Sequence, residues 1–205
     1  MIVAVDGRRM AAGRGVSRVA SRICDELGAI EGITVTRVAQ GRAARAAAAL
    51  AGRPTLRSIA RADVTWLPAP APAAPGDPYV LTVHDLSWLE RPGDFTAYER
   101  AWHRFARFPA LVRGASAVIC VSDHVADAAA ARFEVAPAVV DLGVDLPPKG
   151  VVPVERSRPY FLYVGALEPR KGLDTLAGAW RLANPDADLL IVGEGRVAPA
   201  AGELL

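Results

Sequence analysis

Short apolar runs alternate with helical periodicities along the chain. Residues 2–5 (IVAV) predict a strand, and the turn DGRRMAAGRG delivers the chain into a helix. Its apolar positions, Val16, Val19, Ala20, Ile23, Cys24 and Leu27, are spaced i, i+3, i+4, i+7, i+8, i+11, with Arg18 and Arg22 on another face. That helix ends near Gly28. Ile33 to Ala39 alternates with β-branched residues as a second strand, the alanine-rich stretch Ala43 to Ala51 reads as a helix, and Asp63 to Leu67 as a third strand. Between Pro68 and Pro78 five prolines are interleaved with alanines; prolines donate no ladder hydrogen bond, so a loop is expected. Tyr79 to Val83 is the next strand, ending on His84 and Asp85. A helix follows with Tyr98, Trp102 and Phe105 on one stripe, opened by the capping candidate Asp94 and expected to kink or stop before Pro109. Ala117 to Val121 is a buried strand, Ser122 and Asp123 cap the helix after it, and Val139 to Leu142 closes the block as a strand.

Gly143 to Arg158, with Pro147, Pro148, Gly150 and Pro153, reads as a linker. Beyond it come the strand Tyr160 to Val164, a helix marked by Leu173, Leu176, Ala177 and Trp180, and the strand Asp188 to Val192. The expected class is α/β: a Rossmann-like doubly wound parallel sheet over residues 1–145, a linker over 146–158, and the first βαβ unit of a second Rossmann-like domain over 159–205. Two strands alone should expose an edge that a longer chain would cover.

Composition adds limits. No run of about 18 apolar residues exists, so no membrane-spanning helix is expected. The apolar start is too short for a signal-peptide core, and a cytoplasmic chain is expected. Cys24 and Cys120 fall on an apolar stripe and in an apolar strand, which predicts buried reduced thiols, and no metal spacing is present. Residues 1–61 hold eleven arginines against four acids. No aromatic residue in that segment offers a stacking platform for bases, which argues against nucleic acid. An anionic acceptor, an anionic membrane surface at the inner face, and a merely solvated face stay open.

In a doubly wound sheet ligands gather at the carboxyl ends of strands. Residues there include the turn Gly13 to Gly15, His84, Asp85 and Ser122. Pro159 to Asp174 (PYFLYVGALEPRKGLD) places a strand, a turn at Gly165, the cations Arg170 and Lys171, and a helix start in that order. Unpaired N–H groups and the helix dipole favour an anion at such a terminus, and a fork-shaped guanidinium beside an ammonium suits a phosphate. A solvated loop is the plainer alternative, with Glu168 neutralising the tip as a surface ion pair. Gly13-Arg14-Gly15-Val16-Ser17-Arg18 is similar to a dinucleotide fingerprint but has Arg18 in place of the third glycine and no acid after the second strand, which argues against NAD. Gly193-Glu194-Gly195 reads as a plain turn, and His103 and His124 as solvated helix residues.

Five stretches in register resemble the family 4 glycosyltransferases of the GT-B fold: DGRRMAAGRGVSR, VLTVHDLSWLERP, ASAVICVSDHVADAAAARF, LGVD, and FLYVGALEPRKGLDTLAGAW with LLIVGEGR. The resemblance implies transfer of a hexose from a nucleoside-diphosphate sugar to a hydroxyl acceptor, glycan or lipid-linked, with retention and without a metal, in cell-surface glycan or glycolipid synthesis. It implies that His84 contacts the transferred sugar as the catalytic residue, and that Gly15, Gly165, Arg170 and Lys171 hold the donor phosphates. Arg18, Asp85 and Ser122 are candidate sugar or acceptor contacts. Ala166 stands where family members often have an arginine, and Leu142 where an asparagine is usual. The family's donor domain continues to two glutamates eight positions apart, so this chain is expected to be the amino-terminal part of such an enzyme. The alternatives are a binding or partner module without catalysis, and a nucleotide-sugar epimerase on the same scaffold.

Overall fold

Parallel pairing organises both halves of the chain. The computed structural model describes residues 1–7, 10, 15–146, 148–152, 155–196 and 203–204, and the chain divides into two units, Met1–Val144 and Asp145–Leu205.

In the first unit the elements run β1 (Ile2–Asp6), α1 (Gly15–Ala29), β2 (Thr34–Val38), α2 (Arg42–Ala51), α3 (Leu56–Ala60), β3 (Val64–Leu67), β4 (Tyr79–Val83), α4 (Ser87–Glu90), α5 (Ala97–Phe105), α6 (Phe108–Gly114), β5 (Ala117–Cys120), α7 (Asp123–Phe133) and β6 (Ala138–Val139). The six strands lie in the order β2-β1-β3-β4-β5-β6, every pair parallel. The unit is an α/β, Rossmann-like doubly wound sheet. Its order reverses between β1 and β3, the switch point at which such sheets open a crevice.

Alternation along the strands divides the core. Val3, Val5 and Trp66 face α1 and meet Ala20 and Cys24. Ala4, Leu67, Leu81 and Val83 point the other way, into a larger cluster with Leu56, Phe108, Val112, Ala129 and Phe133 from α3, α6 and α7. The central strands are therefore apolar on both faces, as a parallel sheet covered by helices requires.

The proline-rich segment 68–78 is a loop, and much of it is buried: Ala71, Ala73 and Ala74 lie in the core. Its carbonyls support the neighbouring helix. Ala74 O and Pro75 O accept from Leu56 N and Arg57 N at 2.8 and 3.0 Å, taking up donors that the first turn of α3 leaves unpaired. Helix α3 itself is absent from the periodicity reading because it is only five residues long; Thr55 opens it by accepting from Ser58 N at 3.0 Å.

Two further expectations change. Asp94 does not cap α5; it sits in a 3₁₀ turn (Pro92–Asp94), and Thr96 makes the cap, paired with Glu99 in a capping box. The stripe Tyr98, Trp102 and Phe105 lies on α5, which holds no buried residue: Trp102 is half-buried, Tyr98 is 74% exposed and Phe105 41%. The last strand of the unit is Ala138–Val139 rather than Val139 to Leu142, because β6 follows β5 only through Ile119↔Ala138 and Cys120↔Val139. The chain turns at Arg107 (φ 51°) ahead of α6, whose first turn carries Pro109.

The second unit contains β7 (Tyr160–Val164), a 3₁₀ turn (Pro169–Lys171), α8 (Leu173–Ala183), β8 (Asp188–Val192) and β9 (Glu203–Leu204). Its parallel sheet has the order β7-β8-β9, so a third strand joins the two read from the sequence. Leu173, Leu176 and Trp180 of α8 pack on Tyr163, Leu167, Leu189 and Ile191, and Ala177 on the same helix is buried. Edge strand β7 leaves Tyr160, Phe161, Leu162 and Val164 exposed.

Candidate functional site

At the carboxyl edge of the first sheet, β4 delivers His84 and Asp85, β5 delivers Ser122, and α1 begins at Gly15 after β1. Gly13, which shares the glycine turn, lies outside the described residues. An added Cβ at Gly15 would meet nothing within 4 Å, so this glycine leaves the helix start open. Arg18, one turn on, is exposed.

His84 is half-buried, and its Nε2 lies 2.9 Å from the carbonyl oxygen of Pro68, the first residue after β3. A carbonyl only accepts, so Nε2 carries a proton. This bond fixes the imidazole across the ends of two neighbouring strands. No signal in the sequence marks the Pro68 carbonyl as its partner, because any residue there would offer the same atom.

Asp85 does not act alone at the strand end. Its Oδ1 accepts from Ser87 N at 3.0 Å and from Ser87 Oγ at 2.6 Å, an Asx turn that opens α4. Ser122 is likewise engaged locally, where its Oγ accepts from Val125 N at 3.4 Å and caps α7. His124 is exposed, as expected, whereas His103 is half-buried and stacks on Trp88 with centroids 4.7 Å apart.

In the second unit the residues after β7 and β8 stay paired. Gly165 N donates to Val192 O at 3.0 Å, Leu167 N to Glu194 O at 3.0 Å, and Arg196 N to Leu167 O at 2.8 Å. Gly193 and Gly195 are thus not a plain turn. A Cβ on Gly193 would fall 1.9 Å from Gly165 O, and one on Gly195 2.1 Å from Leu167 O, so only glycine lets these backbones approach.

The basic tip then rises as a 3₁₀ turn that ends on Gly172 in the left-handed region (φ 70°), and α8 begins. Arg170 Nε donates to Glu168 Oε2 at 2.8 Å, with both side chains less than a third exposed. This pair is part-buried rather than a loose surface contact. Lys171 is exposed and makes no ion pair among the described residues. Of the two cations it is the one whose charge the tip presents to solvent.

Both thiols are buried and reduced. Burial pushes Cys24 up, against the Arg37 guanidinium that opposes it, and burial pushes Cys120 up. Among the described residues no cluster of three or more His, Cys, Asp or Glu could hold a metal ion, and no helix is long and apolar enough to cross a membrane.

No curated protein matches the chain. The profile of the family described as Glycosyltransferase Family 4 matches residues 59–147, a span from α3 past β6 that includes His84, Asp85 and Ser122. That match, on an α/β unit with a parallel six-stranded sheet, supports a relationship to the GT-B glycosyltransferases and a glycosyltransferase-like function.

Proposed function

We propose that the chain is a glycosyltransferase, or part of one, moving a hexose from a nucleoside-diphosphate sugar to a hydroxyl acceptor with retention of anomeric configuration. The observation that carries this reading is the family match over residues 59–147, which contains the His84 strand end. In the reaction the bond between the anomeric carbon and the β-phosphate oxygen breaks, and its electron pair leaves with the phosphate. The acceptor oxygen bonds to the same face of that carbon, and its proton passes to the departing phosphate.

The first unit's part is to contact the transferred sugar through His84, whose ring is already oriented by Pro68 O. The second unit's part is to offset the negative charge that grows on the phosphate. Lys171 supplies the mobile cation, Arg170 a guanidinium held in place by Glu168, and the start of α8 unpaired N–H groups. These cations replace a metal at the diphosphate. The acceptor is a glycan or lipid-linked hydroxyl at the inner face of the membrane.

The test is transfer from labelled nucleoside-diphosphate hexoses to a mixed lipid and glycan extract. Lys171→Ala should lower kcat about a hundredfold, the scale of losing one preorganised donor to a developing oxyanion. Its exposure means that folding, followed by circular dichroism, stays unchanged. Unchanged turnover in the variant overturns the assignment, and donor binding without any transfer points to a binding module instead.

A further inference from the structure

Strand β7 lacks the protection that the other described sheet edges carry. In the first unit, edge strand β2 holds Arg37, ion-paired with Asp25 at 2.8 Å, and edge strand β6 is only two residues long. Charge and shortness both keep a strand edge from pairing with another chain. In the second unit β9 is again two residues long among the described residues and begins on Glu203. β7, at the other side of that sheet, reads YFLYV: five residues without a charge, a proline or a glycine. Its register with β8 runs unbroken from Tyr160↔Asp188 to Val164↔Val192, so no bulge bends it away.

The side chains of β7 are open on both faces of the sheet. Phe161 rests edge-on against Trp180 of α8 at 5.6 Å and is still 61% exposed. By the alternation of a strand, Tyr160, Leu162 and Val164 point to the opposite face, where they are 47%, 55% and 70% exposed. Among the described residues no strand pairs with the outer side of β7. The backbone N–H and C=O groups there are a template for a further strand.

The sequence of β7 matches itself. About a two-fold axis through Leu162, an antiparallel copy sets Leu162 opposite Leu162, Tyr160 opposite Val164, and Phe161 opposite Tyr163. Opposite residues share a face, so Tyr160, Leu162 and Val164 meet their own set, and the aromatics Phe161 and Tyr163 meet theirs on the α8 side. No charged side chain of the strand has to be desolvated. The area is of the right size. Covering the exposed parts of Tyr160, Phe161, Leu162 and Val164 removes about 450 Å² per copy and about 900 Å² for the pair, close to the roughly 1,000 Å² of a specific association. Ladder hydrogen bonds come in addition, and a weak, concentration-dependent dimer follows.

We infer that β7 is the contact between two copies of this chain, joined edge to edge into one sheet of order β9-β8-β7-β7-β8-β9. The inference concerns association rather than the reaction, so its test needs no sugar transfer. The full chain is followed by sedimentation velocity from low to high micromolar concentration, and its molar mass should climb from that of a monomer to that of a dimer. Leu162→Lys, which sets two ammonium groups opposite each other at the axis, should weaken the dimer about tenfold or more. Leu162→Glu should do the same, and mixing these two variants should restore association, because opposite charges then meet at the axis. On oxidation Leu162→Cys should cross-link to its own counterpart, since directly opposite strand residues lie about 4.5–5.5 Å apart, within reach of a disulfide. Tyr160→Cys should not, because its counterpart lies about 14 Å away along the strand. The parent, whose cysteines are both buried, is the control for cross-linking, and Leu50→Ser, at an exposed apolar position on α2, should associate as the parent does. Circular dichroism confirms that each variant is folded. A chain that stays monomeric throughout, a dimer indifferent to Leu162→Lys, or cross-linking through Tyr160→Cys in place of Leu162→Cys would overturn the inference. A monomer whose β7 amides exchange slowly with solvent deuterium would overturn it too, by showing that another segment of the same chain takes the edge.

Discussion

Tyr79 offers a direct check on how the first unit is held together. Its hydroxyl, on a side chain only 5% exposed, donates to Leu111 O at 2.7 Å, and an added Cβ on Gly114 would lie 2.8 Å from the same oxygen. Tyr79→Phe removes the donor and leaves the Leu111 carbonyl unpaired in the core. At neutral pH that should cost about 1–2 kcal/mol. Burial, with the nearby Asp77 carboxylate adding to it, pushes the phenol up to about 12 from its ordinary 10. A group raised in the folded state stabilises fully below its unfolded value and loses that contribution as pH climbs through the folded one. The window is therefore pH 10 to about 12, and a two-unit difference corresponds to about 2.7 kcal/mol lost across it. The assay is urea unfolding of both proteins at neutral pH and through this window, read by circular dichroism. The phenylalanine variant should start less stable and fall less steeply, so that the two curves converge. Parallel curves, or a variant as stable as the parent at neutral pH, would refute the reasoning. Gly114→Ala extends the test: it should destabilise the parent by about 1–3 kcal/mol through the clash with the hydroxyl, and clearly less when combined with Tyr79→Phe.

Gly193→Ala should unfold or loosen the second unit, because its methyl meets the Gly165 carbonyl rather than a side chain that can swing away; a loss of about 1–3 kcal/mol or more is expected in urea unfolding. Thr96→Ala should lower helix content and stability by about 1 kcal/mol through loss of the capping box, and Thr96→Ser should restore most of it. Cys24 and Cys120 should react slowly with a thiol reagent at neutral pH in the folded chain and rapidly in urea, since burial keeps both protonated and covered; equal rates would contradict their placement.

Much of the fold is legible in the residues. Alternating apolar runs and helical periods are local properties, and they mark β1, α1, β2, α2, β3, β4, β5, α7, β7, α8 and β8 close to their observed bounds. The capping box of α5 was equally legible, since Thr96 is followed three residues later by Glu99, whereas Asp94 is followed by Ala97. The placement of His84, Asp85 and Ser122 at one edge is legible too, because parallel strands bring them there by topology alone.

Other features depend on atoms that come together only in the folded chain. The imidazole of His84 is oriented by a backbone carbonyl sixteen residues away, which no side-chain pattern records. The glycines at 193 and 195 look like a turn in sequence, yet the neighbouring backbone at Gly165 and Leu167 is what forbids a Cβ. Periodicity shows that α5 has an aromatic side and a charged side, but the contacts of His103, stacked on Trp88 and edge-on to Phe95, arise only in the folded chain. The sequence alone determined most of the strands, about half of the helices and the parallel class, because those follow from the spacing of residues close in the chain. Tertiary structure alone decided which helix face is exposed, which atoms hold the site and where backbone meets backbone, because those contacts join residues that sequence spacing does not relate.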